Sequence, residues 1–278
     1  MLRLGGKRVG RTLLVPANTR TTFTRSASPS PTWKAGQGLL EVQSSWRKVT
    51  DGLRKSWNLE ETPTRDVYKL LTSAIVPRPI ALTSSLSQDG VPNLAPFSYF
   101  SMISSNPPML SISFSLSSKR KKDTRENILA TKEFTVNMIS QSFVEAANIT
   151  SVESSEPDEW VLSGLTMQPS TQVKPARVKE SPFSMECELH SYQDITPAGA
   201  TEATVTVVLG SIRHAHALES VLDSDGASVD PDKLQVVARM GGDTYSKLVE
   251  GFDVARPKWK DLHAVYFELL GKKKDSNC

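Results

Sequence analysis

The chain has 278 residues, 38% hydrophobic and 23% charged, the balance of an ordinary soluble globular protein. No apolar run approaches the roughly 20 residues that cross a bilayer, and two cysteines, Cys187 and Cys278, exclude a disulfide framework and point to a reducing compartment. The net charge of +3 is unevenly placed: residues 1–40 hold seven basic residues and no acid, so of the 33 Lys and Arg only 26 remain against 30 acids, which excludes a basic nucleic-acid footprint over the body.

In chain order, the first 30 or so residues are rich in Arg, Ser and Thr and broken by Pro16, Pro29 and Pro31. That composition matches a mitochondrial transit segment, and a disordered basic tail reads the same way, so the destination is cytoplasmic or mitochondrial. The texture changes at Thr64. This divides the chain into a basic extension and linker (1–63), a main domain (64–260) and a C-terminal tail (261–278). "RPIALTSSLS" (Arg78 to Ser87) predicts a strand, and Asp89-Gly90 a hairpin turn. "PMLSISFSLS" (Pro108 to Ser117) puts Leu110, Ile112, Phe114 and Leu116 on one face of a half-buried strand. "KDTRENILATKEF" predicts a short helix with Asp123 or Thr124 as its N-cap. "FTVNMIS" reads as a strand and "SFVEAANIT" as a helical turn or two; Asn148-Ile149-Thr150 fits a glycosylation sequon by chance. After an acidic loop (Glu153 to Glu159), "FSMECELH" alternates Phe183, Met185, Cys187 and Leu189, and Val205, Val207 and Leu209 continue the β pattern. "DLHAVYFELL" predicts a small terminal helix and "GKKKDSNC" a solvated tail. Short strands, brief helices and no βαβ rhythm argue for an antiparallel barrel or sandwich.

The chemistry-bearing motifs are few. Neither a Gly-x-Gly-x-x-Gly after a strand nor a Walker A pattern is present, so no Rossmann or P-loop site is indicated. His214 and His216 share a strand face, yet nothing nearby completes a metal site, and none is assigned. "SSKRKKDT" (Ser117 to Thr124) places four basic residues before a helix start, which suits a phosphate, although such a charge run by itself reads first as a solvated loop. "DGVPNLAPFSYFS" (Asp89 to Ser101) carries Pro92 and Pro96 inside a predicted strand, where neither donates to a ladder. Irregular backbone there, with the Phe97 and Ser98 N–H groups turned from the sheet and Asn93 and Ser98 adding donors and acceptors, would seat a flat polar heterocycle. A sheet-edge bulge without a ligand would read identically.

Together, "SAIVPRPIALTSSLSQDGVPNLAPFSYFSMISSNPPMLSISF", "KKDTRENI", "VKPARVKESPFSMECEL" and "ARMGGDTY", in this order from about Val67 to Trp259, resemble the flavin reductase-like family with an FMN-binding split β-barrel. The upstream "SPSPTWKAGQG" is similar to an extension of fungal members. The resemblance implies a mostly β fold and a homodimer binding FMN, with NAD(P)H as electron donor. The electrons would go to free flavin, an acceptor oxygenase or a small organic substrate, unless the protein is a flavoredoxin-type carrier. It implies that Ser84, Ser85 and Arg78 contact the phosphate or ribityl chain. Asn93, Ala95, Pro96, Phe97 and Ser98 would line the isoalloxazine, and Lys122, Asp123 and Thr124 would hold the phosphate. His216, Gly242 and Tyr245 would border the substrate gap. Ser211 departs from the acid many relatives carry there, and no catalytic side chain is implied because the flavin does the chemistry.

Overall fold

A short strand, β1 (Thr24–Ala27), and a helix, α1 (Thr64–Ala74), precede the hairpin strands β2 (Ala81–Leu86) and β3 (Pro92–Phe97) and a second pair, β4 (Phe100–Ser105) and β5 (Pro108–Ser115). Helix α2 (Asp123–Thr131), strand β6 (Glu133–Met138), and helices α3 (Val144–Ile149) and α4 (Glu159–Ser163) follow. Two small strands, β7 (Met167–Gln168) and β8 (Arg177–Val178), lead to the long strands β9 (Phe183–Ile195) and β10 (Val205–Ala217). The chain ends in α5 (Pro231–Leu234), β11 (Val237–Arg239), β12 (Tyr245–Lys247), β13 (Glu250–Asp253) and α6 (Trp259–Asp275). This computed structural model describes residues 23–39, 49, 52–117, 122–154, 156 and 158–275. The acid-free leader before Phe23 and residues 118–121 of the basic run lie outside the described residues.

Seven strands form one antiparallel sheet in the order β3-β2-β6-β9-β10-β5-β4. Its two edge strands, β3 and β4, are consecutive in the chain and separated only by Ser98 and Tyr99. In a flat sheet, strands six places apart would sit about 28 Å from each other. Three peptide units reach at most about 11 Å. The sheet therefore rolls until its edges meet at this corner, where the Tyr99 carbonyl accepts from Ser113 N–H and the Phe97 ring packs edge-on against Phe114 at 4.7 Å.

Rolling gives the sheet an inside and an outside, each with its own core. Ala81, Leu110, Ile112, Phe114, Ile128, Phe134, Val136, Met185, Cys187 and Val208 form one buried cluster, and the predicted alternations of β5 and β9 supply much of it. Burial pushes the Cys187 thiol up, so it stays protonated and packs as a small hydrophobe. Ile80, Leu82, Leu94, Phe143, Trp160 and Val178 form the second cluster, beneath α3 and α4. On β10 the inward set is Thr206, Val208 and Gly210, not the odd-numbered Val205, Val207 and Leu209. The reason is Phe134: a Cβ on Gly210 would stand 2.5 Å from its ring, so this face takes a residue with no side chain.

The polar face of β9 is also buried, because residues 171–173 cross it. Glu186 there is fully buried and accepts from the N–H groups of Thr171, Gln172 and Val173 and from His216.

The segments on either side of the main domain also carry secondary structure among the described residues. Within the extension, β1 pairs in parallel with β13, which ties it to the body. Helix α6 starts at Trp259 and runs through the segment read as a solvated tail to Asp275. No helix among the described residues is long and apolar enough to cross a membrane.

Candidate functional site

The β2–β3 hairpin turns through Ser87–Val91, with Gly90 at φ +82°, and its ladder then runs unbroken from Leu86↔Pro92 to Ala81↔Phe97. The two prolines therefore cause no bulge, contrary to the sequence expectation. Backbone groups alternate along an antiparallel strand. Leu94 N–H points outward, to Glu159 Oε2 at 3.4 Å, so Pro92 and Pro96, two residues either side, also face outward. Both prolines occupy positions where a ladder bond is not made, on an edge strand, where proline is tolerated. Phe97 N–H, by the same alternation, faces β2 and not a ligand. The outward edge of β3 thus offers carbonyl acceptors, and its one donor is taken by a carboxyl.

Behind this edge lies a polar network. Asn93 Nδ2 donates to Thr124 Oγ1 at 2.7 Å and to Ser85 Oγ at 3.4 Å, and Asn127 Nδ2 donates to Ser85 Oγ at 3.1 Å. All four side chains are buried. They pin the start of β3 to the first turn of α2. The helix begins at Asp123 with Lys122 in the N-cap position and no side-chain cap, so neither Asp123 nor Thr124 caps it as the sequence suggests. The Thr124 hydroxyl serves Asn93 instead.

Two cavities open along this junction. One, of about 90 Å³, is lined by Asn93, Ala95, Pro96, Phe97, Lys122, Asp123 and Thr124 on one side and by Thr150–Val152 and Glu159 on the other. The second, of about 300 Å³, shares Asn93, Asp123 and Glu159 and adds Asn127, Glu156 and Asp158. Seven of the residues predicted to bind flavin are thus brought to one cleft, although the sequence separates them into two motifs.

The remaining predicted residues sit elsewhere. Ser84 and Ser85 are closed off inside β2 at 1% and 0% exposure, so Ser85 acts through Asn93 and Asn127. Arg78 donates to the carbonyls of Thr72, Ile75 and Met240, which clamps the end of α1 to the loop after β11. With Ser98 and Tyr99 it lines a separate, more apolar cavity of about 550 Å³ beside β4 and α1. Burial there pushes the Tyr99 hydroxyl up, Tyr68 adds to this, and Arg78 opposes it. His216 places Nε2 2.6 Å from Glu186 and holds the cover of β9. Gly242 makes a turn at φ +58°. Tyr245 donates its hydroxyl to Asn148 Oδ1 at 2.7 Å and so braces the end of α3, next to the Thr150–Val152 wall.

Sequence reasoning missed Glu159, Asn127 and that wall. Glu159 reads in the sequence as the end of an acidic loop, Glu153 to Glu159. Asp158 accepts from Trp160 and Val161 N–H, a helix-start signal legible in "DEW", but the contact of Glu159 with Leu94 spans 65 residues. Burial raises the Glu159 carboxyl above the usual range, and Asp123 and Asp158 push the same way against the Leu94 N–H. Among the described residues no group of three His, Cys, Asp or Glu is placed to hold a metal.

The comparisons agree with this architecture. Residues 73–229 match the model of the flavin reductase like domain. An uncharacterized Bacillus subtilis protein is 34% identical over 201 residues, 71% of this chain and 97% of its own length. Nitrilotriacetate monooxygenase component B from Bacillus cereus is 31% identical with a TM-score of 0.69, covering 73% of this chain and all of that one. The 2-nitrobenzoate 2-nitroreductase NbaA of Pseudomonas fluorescens is 26% identical with a TM-score of 0.65, covering 74% and 98%. These bacterial relatives lend no support to a mitochondrial destination. With its rolled antiparallel sheet and a domain match over more than half its length, the chain belongs to the flavin reductase-like family.

Proposed function

We propose that the chain is an NAD(P)H-dependent oxidoreductase that binds FMN in the cleft between β3 and α2. The observation that supports this reading is the convergence of Asn93, Ala95–Phe97 and Lys122–Thr124 on one cavity. The donor set suits the group. Lys122 and the first N–H groups of an uncapped helix, which no helix carbonyl takes, match a phosphate. Pro96 and Phe97 give apolar cover, and the outward carbonyls of β3 match a ring imide N–H. Asn93, Ser85, Thr124 and Asn127 hold the two walls in register, and Tyr245 and Asn148 brace the third. Bound FMN would supply the hydride chemistry, which explains why no triad or paired carboxylate is needed.

FMN, rather than FAD, is the proposed flavin because the two cavities, about 90 and 300 Å³, are modest for a drug-sized ligand. The 550 Å³ cavity beside β4 is rimmed by exposed Leu71, Ile75 and Tyr99, and Met102 and Ile103 stand exposed on the edge strand. We assign this face to a second copy of the chain, giving a homodimer with each cleft near the subunit boundary. The relative that is a component of a monooxygenase favours an oxygenase as electron acceptor; the nitroreductase relative favours a small organic substrate as the second reading.

The test is the absorption spectrum of the purified protein, with mass analysis of any released chromophore and an anaerobic titration with NADH and NADPH. FMN that bleaches on titration is the expected result. A colourless protein that takes up neither FMN nor FAD overturns the reading.

A further inference from the structure

Asp123 and Glu159 line both cavities of the cleft, and of the two only Glu159 is buried, at 7% exposure. Resting on the flavin reading above, we propose that Glu159 is a positioning residue whose charge limits how tightly the cleft retains a phosphate-bearing flavin. It makes the cofactor exchangeable under conditions where the carboxylate forms.

Glu159 opens α4 and reaches across to the outward N–H of Leu94, the one donor between Pro92 and Pro96 on this edge. The contact is long, at 3.4 Å, and together with the bond from its own backbone N–H it offsets only part of the cost of a buried charge. The surrounding charges add to that cost. Asp158 and Glu156 approach from the loop before α4, and Asp123 from α2. Lys122 is the one cation lining either cavity among the described residues. Strand β3 and the Thr150–Val152 wall contribute no charge. Deprotonation of Glu159 therefore adds a negative charge to a wall that is already acidic. A phosphomonoester of about −1.5 to −2 charge meets that wall with repulsion.

The sign follows. Burial lifts the Glu159 carboxyl upward, with Asp123 and Asp158 in support. Below its raised pKa the group is a neutral acid and the cleft tolerates the anion. Above it the carboxylate forms and retention weakens. A flavin without a phosphate lacks the charge that the wall opposes. Glutamine has the shape of the neutral acid, can accept from Leu94 N–H and cannot ionise.

The experiment measures dissociation constants of FMN and riboflavin for the full-length apoprotein and for Glu159→Gln and Glu159→Asp, by quenching of flavin fluorescence from pH 5 to 8.5. The second ionisation of the FMN phosphate near pH 6 is common to the free ligand, and in the proteins that carry the carboxylate it adds to the repulsion, so it raises the ratio in the same direction. For FMN, the ratio of wild-type to Glu159→Gln dissociation constants is expected to rise with pH, toward on the order of tenfold once the carboxylate has formed. For riboflavin it stays near one throughout. Glu159→Asp keeps the charge and the wild-type slope, whereas a purely structural role would make Asp the worse variant and Gln harmless at every pH. Parallel profiles for wild type and Glu159→Gln, or equal effects on the two flavins, overturn the proposal while leaving the flavin reading intact. If the wild-type protein binds neither flavin at any pH, that reading fails and this proposal with it.

Discussion

Replacing Asn93 by alanine tests the network that joins the β3 edge to α2. Asn93 is buried, and its amide makes one short hydrogen bond, to Thr124 Oγ1 at 2.7 Å, and one long one, to Ser85 Oγ. Losing the short bond removes about 1 kcal/mol. Leaving the Thr124 hydroxyl, itself 2% exposed, without its donor adds part of a desolvation penalty of roughly 1–3 kcal/mol. Ser85 keeps its bond from Asn127, so its contribution is small. Asn93→Ala should therefore destabilise by about 2 kcal/mol, which lowers Tm by about 4–8 °C for a chain of this size. Thr124→Val should cost a similar amount, because it strands the Asn93 amide. The double variant removes both partners together and should cost less than the sum, with a coupling of about 1 kcal/mol. Urea unfolding followed by tryptophan fluorescence gives the four free energies, and an FMN titration of the folded variants reports the cleft. Additive costs, with coupling below about 0.3 kcal/mol, would refute the hydrogen bond and with it the argument that β3 and α2 are held as one unit.

Two further outcomes follow from the fold. Gly210→Ala inserts a methyl 2.5 Å from the buried Phe134 ring and should cost about 1–3 kcal/mol, with most of it recovered by adding Phe134→Leu; an unchanged Tm in Gly210→Ala would disprove the close approach. For Glu186, burial favours the neutral acid, but hydrogen bonds from Thr171 and Gln172 N–H, from His216 and from Val173 N–H outweigh it and lower the pKa to about 2. The unfolded value is about 4.3, so this contribution is fully present above that pH and is lost as pH falls toward 2; acid unfolding of Glu186→Gln should be flatter across this window, and an identical curve would contradict the assignment.

Much of the site was legible because its signals are local. The Asp89-Gly90 turn, the inward Leu110, Ile112 and Phe114, and the helix from Asp123 each depend on neighbours within a few residues. The motifs containing Asn93 and Lys122–Thr124 were likewise visible as text, and they meet in the cleft. What they do there was less legible. The text around Arg78 gives no sign of its clamp to Met240, 162 residues away. The prolines read as breaks until Leu94 N–H shows which way that strand faces.

Composition and periodicity determined that this chain makes short antiparallel strands, because alternation and turn propensity act within one or two hairpins. Only the tertiary structure decided which face of β10 turns inward, since the choice rests on the volume of Phe134 and not on the hydrophobicity of β10 itself. It alone placed Glu159 against β3, because rolling the sheet and folding α4 back over its edge brings together groups that no local pattern couples.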